Sequence, residues 1–196
     1  YQRQDIPTPD SVQANQVSEI YYGDDSTLMG RIVPPEGNRT DVKITDIPKS
    51  MQDAVIAAED RQFRSNEGFS VTGIGRAVLG RFTNNADAGG GSTITQQYVK
   101  NAIVGDEVSY SRKFKELAIA AKMNDRHGWS KEKILEAYLN TIYFGRGAYG
   151  VAVAAQKFFN KSITDKRRAE RNPLTFEEAA LLSAVIRAPS YYDPDT

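Results

Sequence analysis

The sequence contains no cysteine and a single histidine. The first absence excludes disulfides, thiol nucleophiles and thiolate metal sites. The second excludes a site built on several imidazoles and argues against a Ser-His-Asp triad. The lone imidazole, His127, stands in Arg126-His127-Gly128-Trp129, which reads as a helix end and turn. No apolar run approaches the ~20 residues of a bilayer span, and no signal peptide is visible. An excess of one charge is missing too. Lys plus Arg and Asp plus Glu are 25 each, so bulk attraction gives no case for nucleic acid and any anion site must be local. The sequence opens on Tyr1 rather than Met and so reads as a piece of something longer, which makes the missing anchor uninformative about the parent.

What is present suits a globular core: 196 residues, 40% hydrophobic and 26% charged, enough for one domain or a domain with a small appendage. Residues 1–16 are polar, with Pro7 and Pro9, and read as a lead-in. Weak alternation from Val17 to Val33, around Gly23-Asp24-Asp25-Ser26, predicts a small β-hairpin. A loop follows over 34–38, and 42–47 reads as a short extended segment. From Pro48 onward the apolar period becomes helical, with Met51, Val55 and Ala58 on one face. Ser70 to Phe82 is a second candidate helix, followed by a loop over 84–91. Ser111 to Asp125 places Phe114, Leu117, Ala118 and Ala121 on one face. Ser130 caps a helix carrying Leu135, Tyr138, Leu139 and Ile142. Ala148 to Phe159 reads as helix, Lys161 to Asn172 as a solvated charged stretch, and Thr175 to Glu178 as a capping box opening a last helix that ends near Arg187. The expected class is mainly α, with six to eight helices and a minor N-terminal β element, and neither an internal repeat nor βαβ alternation.

The stretch with the most chemistry is Gly89-Gly90-Gly91-Ser92-Thr93-Ile94-Thr95-Gln96-Gln97-Tyr98-Val99-Lys100-Asn101. Glycines let a backbone approach a ligand, and a helix N-terminus offers unpaired N–H groups to an anion. The bland alternative is a flexible loop with an ordinary Ser or Thr cap. The Gln96-Gln97 pair is the odd feature, because amides gain little in a helix unless something contacts them. Two carboxylates also stand out. Glu59 emerges from an apolar helix at a turn, where it is either a base or a surface residue. Glu116 follows Arg112, Lys113 and Lys115. An Arg112–Glu116 pair would stabilise a helix by about 0.2–0.5 kcal/mol. Three cations in a first helical turn oppose the helix dipole, however, and so point to a ligand anion.

Two other motifs are read down. Gly145-Arg146-Gly147-Ala148-Tyr149-Gly150 matches G-x-G-x-x-G, but no βαβ unit surrounds it. Ser130-Lys131-Glu132-Lys133 matches S-x-x-K without S-D-N or K-T-G, so Ser130 reads as an N-cap and no transpeptidase chemistry is expected here.

Five segments, in order and covering about 48–192, resemble the signatures of glycosyltransferase family 51, the peptidoglycan glycosyltransferase domains of class A penicillin-binding proteins. They are Glu59-Asp60-Arg61-Gln62-Phe63 through Gly68, Gly91 to Asn101, and Arg112 to Glu116. The fourth is Lys131 with Ile134-Leu135-Glu136, Tyr138-Leu139-Asn140 and Gly145, and the fifth is Glu178 to Leu182 through Arg187-Ala188-Pro189-Ser190. Asn66 stands where the family usually has His, Arg187 where Lys is common, and Tyr98 where an aliphatic is usual.

The resemblance implies a lysozyme-like helical head over 48–196 with a smaller membrane-facing jaw, assigned to 70–85 with plain core packing as the alternative. Residues 1–47 would then be a linker and small β element following a missing membrane anchor. It implies polymerisation of lipid II with inversion and release of undecaprenyl pyrophosphate, at the extracytoplasmic face of a bacterial membrane. Glu59 would be the base, and Glu116 would sit among cations or help hold a divalent ion such as Mg or Mn. Lys100, Arg112, Lys113 and Arg187 would meet the pyrophosphate. Ser92, Thr93, Gln96, Gln97, Asn101 and Asn140 would bind sugars and phosphates. No organic cofactor and no nucleic acid are expected. The expected partners are lipid II, the growing glycan strand, the membrane surface, a phosphoglycolipid inhibitor of the moenomycin type and cell-wall synthesis proteins. A C-terminal transpeptidase is implied beyond the sequence. The competing readings are a lysozyme-like hydrolase or lytic enzyme, and a non-catalytic module binding lipid II or a divisome partner.

Overall fold

The computed structural model describes residues 18–21, 23, 28–32, 40–69, 92–104, 110–189 and 191–192. The expected hairpin is present as β1 (Ser18–Tyr21) and β2 (Leu28–Ile32), antiparallel, with Ser18 opposite Ile32 and a register shift between Ile20 and Tyr21. Among the described residues seven helices follow: α1 (Lys49–Glu59), α2 (Ile94–Val99), α3 (Tyr110–Met123), α4 (Lys131–Thr141), α5 (Val151–Phe159), α6 (Lys166–Arg171) and α7 (Phe176–Arg187). A π-helical turn over Lys100–Val104 continues α2. The molecule is mainly helical, as expected, and consistent with a lysozyme-like helical head. The expected jaw over 70–85, the helix at 70–82 and the loop at 84–91 lie outside the described residues.

Before α1 the chain does not stay extended to Ile47. It turns over 44–46, closed by Asp46 N–H donating to the Lys43 carbonyl (2.9 Å). Gln52 holds this turn by donating to the carbonyls of Ile44 and Ile47. Val42 and Ile47 are buried, so the core begins before the expected boundary at 47/48.

Pro48 opens α1, where its missing N–H costs nothing. The helix buries Met51, Val55 and Ile56 against α7; Ala58, expected on that face, is exposed. Fully burying an aliphatic side chain of this size contributes about 1.5–3 kcal/mol, and the core of Met51, Phe63, Ile94, Tyr138, Phe144 and Leu182 is assembled from such residues.

On α3 the sequence pattern misleads. The buried face is Glu116, Ala120 and Met123, while Phe114 is 78% exposed and Ala118 is exposed. One residue is about 100° of helix, so this face is rotated by one position from the one the apolar residues define. What turns it inward is a carboxylate, Glu116.

The glycines after α4 form a tight reversal. Across it Phe144 N–H donates to the Ala148 carbonyl (2.8 Å), Ala148 N–H to the Gly145 carbonyl (2.7 Å) and Gly150 N–H to the Ile142 carbonyl (2.9 Å). Gly150 has φ +85°, and a Cβ there would lie 2.8 Å from the Asn140 carbonyl oxygen. The G-x-G-x-x-G pattern is therefore a turn, and α5 starts at Val151 rather than Ala148. Ser130 accepts from Lys133 N–H as the N-cap of α4, and Thr175 with Glu178 forms the capping box of α7. The stretch 161–172 is not simply solvated. It contains α6, capped by Asp165, and begins with a buried Lys161 whose Nζ lies 2.6 Å from Glu178 Oε2.

Candidate active site

Two turns meet where α1 ends and α2 begins. Leaving α1, Asp60 adopts φ −155°, and the reversal over 60–66 drops Phe63 into the core. The Asp60 carboxylate accepts both from Asn66 Nδ2 (3.0 and 2.9 Å) and from the Ile94 N–H at the start of α2 (3.2 Å). Thr93 caps α2 reciprocally: its Oγ1 accepts from Gln96 N–H (3.2 Å), and Gln96 Oε1 accepts from Thr93 N–H (2.8 Å). Thr93 also donates to the Gly68 carbonyl (2.7 Å). Of the N–H groups expected to await an anion at this terminus, those of Thr93, Ile94 and Gln96 are instead taken up by the capping box and Asp60.

The oddity of two adjacent glutamines is resolved by these contacts. Gln96 is buried, and its amide oxygen is spent on the cap of α2. Gln97, 100° further round the helix, points to α1 and α4. Its Nε2 donates to Glu59 Oε2 (2.8 Å), and its Oε1 accepts from the Tyr138 hydroxyl (3.0 Å). Glu59 Oε1 is buried and has no hydrogen-bond partner among the described residues. Leaving a buried acceptor unpaired costs about 1–3 kcal/mol, a cost that calls for a functional explanation. Burial and the neighbouring Glu59 charge hold the Tyr138 hydroxyl well above the usual phenol range, so it stays a donor.

Glu116 is the second carboxylate, 2% exposed, and its Oε1 accepts from Lys113 Nζ (2.5 Å). Lys113 also reaches Ser92 Oγ at 3.4 Å, which ties the start of α3 to the approach to α2. The Arg112 side chain lies outside the described residues. Lys100 opens the π-turn, Asn101 is exposed beside it, and Arg187 is exposed at the C-terminal end of α7. Among the described residues no group of three or more acidic or imidazole side chains converges as metal ligands. With an ammonium already on Glu116, the described residues do not fit a divalent ion held there.

Asn140 is placed elsewhere than expected. Its Oδ1 accepts from Val42 N–H (3.0 Å) and its Nδ2 donates to the Val42 carbonyl (2.9 Å), so the amide clamps the segment before α1 onto α4. Glu136 Oε2 accepts from Ile44 N–H (2.7 Å) in the same role. Asn140→Ala is expected to cost about 2 kcal/mol through two buried bonds. Thermal unfolding checks the loss, and KM for any substrate should stay put.

The sequence reading missed a polar network behind the site. Lys131 Nζ donates to the Asn66 carbonyl (2.7 Å), to Asn66 Oδ1 (3.1 Å) and to Asn124 Oδ1 (2.5 Å). Asn124 in turn donates to Thr95 Oγ1 (3.1 Å). Burial lowers the Lys131 pKa, against a raising effect of Asp60. Asn66, the departure from the usual His, thus joins Asp60 to Lys131. Tyr98, another of the departures, packs on Trp129 with ring centroids 5.9 Å apart, and burial pushes its phenol up to about 12.

Comparison with known proteins agrees on one family. A family model described as Transglycosylase matches residues 25–196. The chain is 51% identical over 194 residues to penicillin-binding protein 1A of Mycolicibacterium smegmatis, covering 97% of this chain and 23% of that protein. It is 50% identical to penicillin-binding protein 1A of Mycobacterium tuberculosis, covering 97% of this chain and 22% of that one. With penicillin-binding protein 1A of Neisseria flavescens the identity is 42%, over 96% of this chain and 22% of the relative. The chain therefore spans less than a quarter of the length of these relatives.

Proposed function

The chain belongs to the transglycosylase family, and on that premise we propose that it is a peptidoglycan glycosyltransferase, polymerising lipid II into glycan strands with inversion and release of undecaprenyl pyrophosphate. Glu59 is the general base. The single observation that carries this role is its carboxylate: Oε2 is held by Gln97, while Oε1 is buried and unpaired among the described residues.

In the step proposed, the acceptor sugar hydroxyl gives its proton to Glu59 Oε1. Its oxygen forms the new bond to the anomeric carbon of the donor from the face opposite the leaving group. The bond to the pyrophosphate oxygen breaks, and that oxygen takes the electron pair. Pyrophosphate is a weak base and needs cations more than a general acid. Lys113, set on Glu116 at 2.5 Å, is one cation anchored by a buried carboxylate. Lys100, Arg112 and Arg187 complete the proposed set. Asn101 and Ser92 are proposed to contact sugar or phosphate oxygens. Glu116, accepting from an ammonium, is arranged to hold a cation rather than to give a proton to a sugar leaving group. This disfavours a two-carboxylate hydrolase.

Among the described residues no helix is long and apolar enough to cross a membrane. The lipid tail of the proposed substrate supports a reaction at a membrane surface, and the resemblance to the family makes the extracytoplasmic face the one proposed. A phosphoglycolipid of the moenomycin type, sharing the phosphate-and-lipid chemistry, is proposed to compete for the same site. Incubation with labelled lipid II in detergent, with products separated by size, tests the activity. A ladder of polymer is expected. Bound but unpolymerised lipid II, with the membrane-anchored parent equally inactive, would make the chain a binding module.

A further inference from the structure

Three helices far apart in sequence converge on one amide. Gln97 on α2 has Glu59 of α1 on its nitrogen (2.8 Å) and Tyr138 of α4 on its oxygen (3.0 Å). Neither contact leaves a choice of orientation. An ionised carboxylate only accepts, so the amide NH2 must face Glu59, and the amide oxygen that remains can only accept from the phenol. Tyr138 is 1% exposed, and its hydroxyl is directed at Gln97. The base thus has one oxygen occupied and one buried oxygen without a partner among the described residues.

We propose that Gln97 and Tyr138 are positioning residues for Glu59. Tyr138 fixes the amide of Gln97, and Gln97 occupies Oε2, so that Oε1 alone takes the proton of the attacking hydroxyl. The Gln-Gln pair then divides its labour: Gln96 builds the helix start, and Gln97 sets the base. Swinging the carboxylate away from a near-attack geometry is the cost of removing either partner. The inference rests on Glu59 being the base.

The test measures kcat and KM for lipid II polymerisation, with the thermal midpoint of each variant, on the full 196-residue chain and its Tyr138→Phe, Gln97→Leu, double and Glu59→Gln forms. Each single variant is expected to lower kcat by ~10–100-fold with KM held within about twofold. Tyr138→Phe in the Gln97→Leu background should add no further loss, because the hydroxyl acts only through the amide. A merely structural role would move the thermal midpoint and leave kcat. Unchanged kcat in Tyr138→Phe overturns the relay, and this conservative variant keeps the ring in place should Gln97→Leu fold poorly. A raised KM with kcat intact in Gln97→Leu also overturns it, by making Gln97 a substrate ligand. If instead Glu59→Gln polymerises like the parent, the assignment of the base has failed. That outcome is read from a variant in which Gln97 and Tyr138 are both present.

Discussion

Glu59→Gln is expected to lower lipid II polymerisation by roughly 10²–10⁴-fold, the usual contribution of a positioned general base. The substitution is close to isosteric and spares the fold. The new amide oxygen can take the place of Oε2 opposite Gln97 Nε2, so the 2.8 Å contact between α1 and α2 survives. What changes is the other position, where a buried, unpaired acceptor becomes an NH2 group that cannot take a proton. Binding of lipid II and the thermal midpoint should stay near those of the parent. Full polymerisation by Glu59→Gln would remove Glu59 as the base, whereas loss of binding together with activity would place the residue in substrate recognition. A non-catalytic module would show no dependence on this carboxylate at all.

The largest stability effect is expected far from that site. Lys161 is 8% exposed, and its Nζ donates to the Pro173 carbonyl (2.8 Å) and to Glu178 Oε2 (2.6 Å). The same carboxylate oxygen accepts from the Thr175 N–H in the capping box of α7 (2.8 Å). Lys161→Met strands a largely buried carboxylate and a carbonyl. Breaking such a pair costs about 3 kcal/mol, the low end of the range because Glu178 keeps some solvent. For a chain of this size that is a fall of roughly 6–12 °C in thermal midpoint. Burial alone would raise the Glu178 pKa, but the bonds from Lys161 and Thr175 outweigh it and leave the carboxyl below its ordinary 4.5. A depressed folded-state pKa contributes stability that is fully present above the unfolded value and is lost as pH falls through the folded one. The parent should therefore lose this contribution on acidification below about 4.5, and Lys161→Met should show a flatter midpoint-against-pH curve there. Equal slopes for the two proteins would mean that the pair carries no linkage.

Much of the helical architecture was legible because periodicity and caps are local. Pro48, Ser130 and the Thr175–Glu178 box begin helices where the residues say they should. The α4 face of Leu135, Tyr138, Leu139 and Ile142 is buried as its spacing requires. Where periodicity failed, a paired charge had replaced an apolar residue. Glu116 faces inward on α3 because Lys113 meets it, and Phe114 is left outside. Lys161 is buried because Glu178, 17 residues later, meets it. Hydrophobic patterning counts a charge as solvent-facing and cannot register a partner supplied by another element.

From its residues alone the chain reads as a helical transglycosylase-like domain without thiol or multi-histidine chemistry, in which Glu59, the glutamine pair and the cations before Glu116 have chemistry to explain. Which partners these side chains meet is set by the packing of the helices. Gln96 and Gln97 are neighbours of identical type, yet one turns back on Thr93 and the other spans to Glu59 and Tyr138, 38 and 41 positions away in the chain. Asn140, which read as a ligand, clamps Val42 from 98 positions away. Hydrogen-bond partners at such separations are chosen by how helices pack, and helix packing is fixed by the buried surfaces of the whole domain rather than by any window of its sequence.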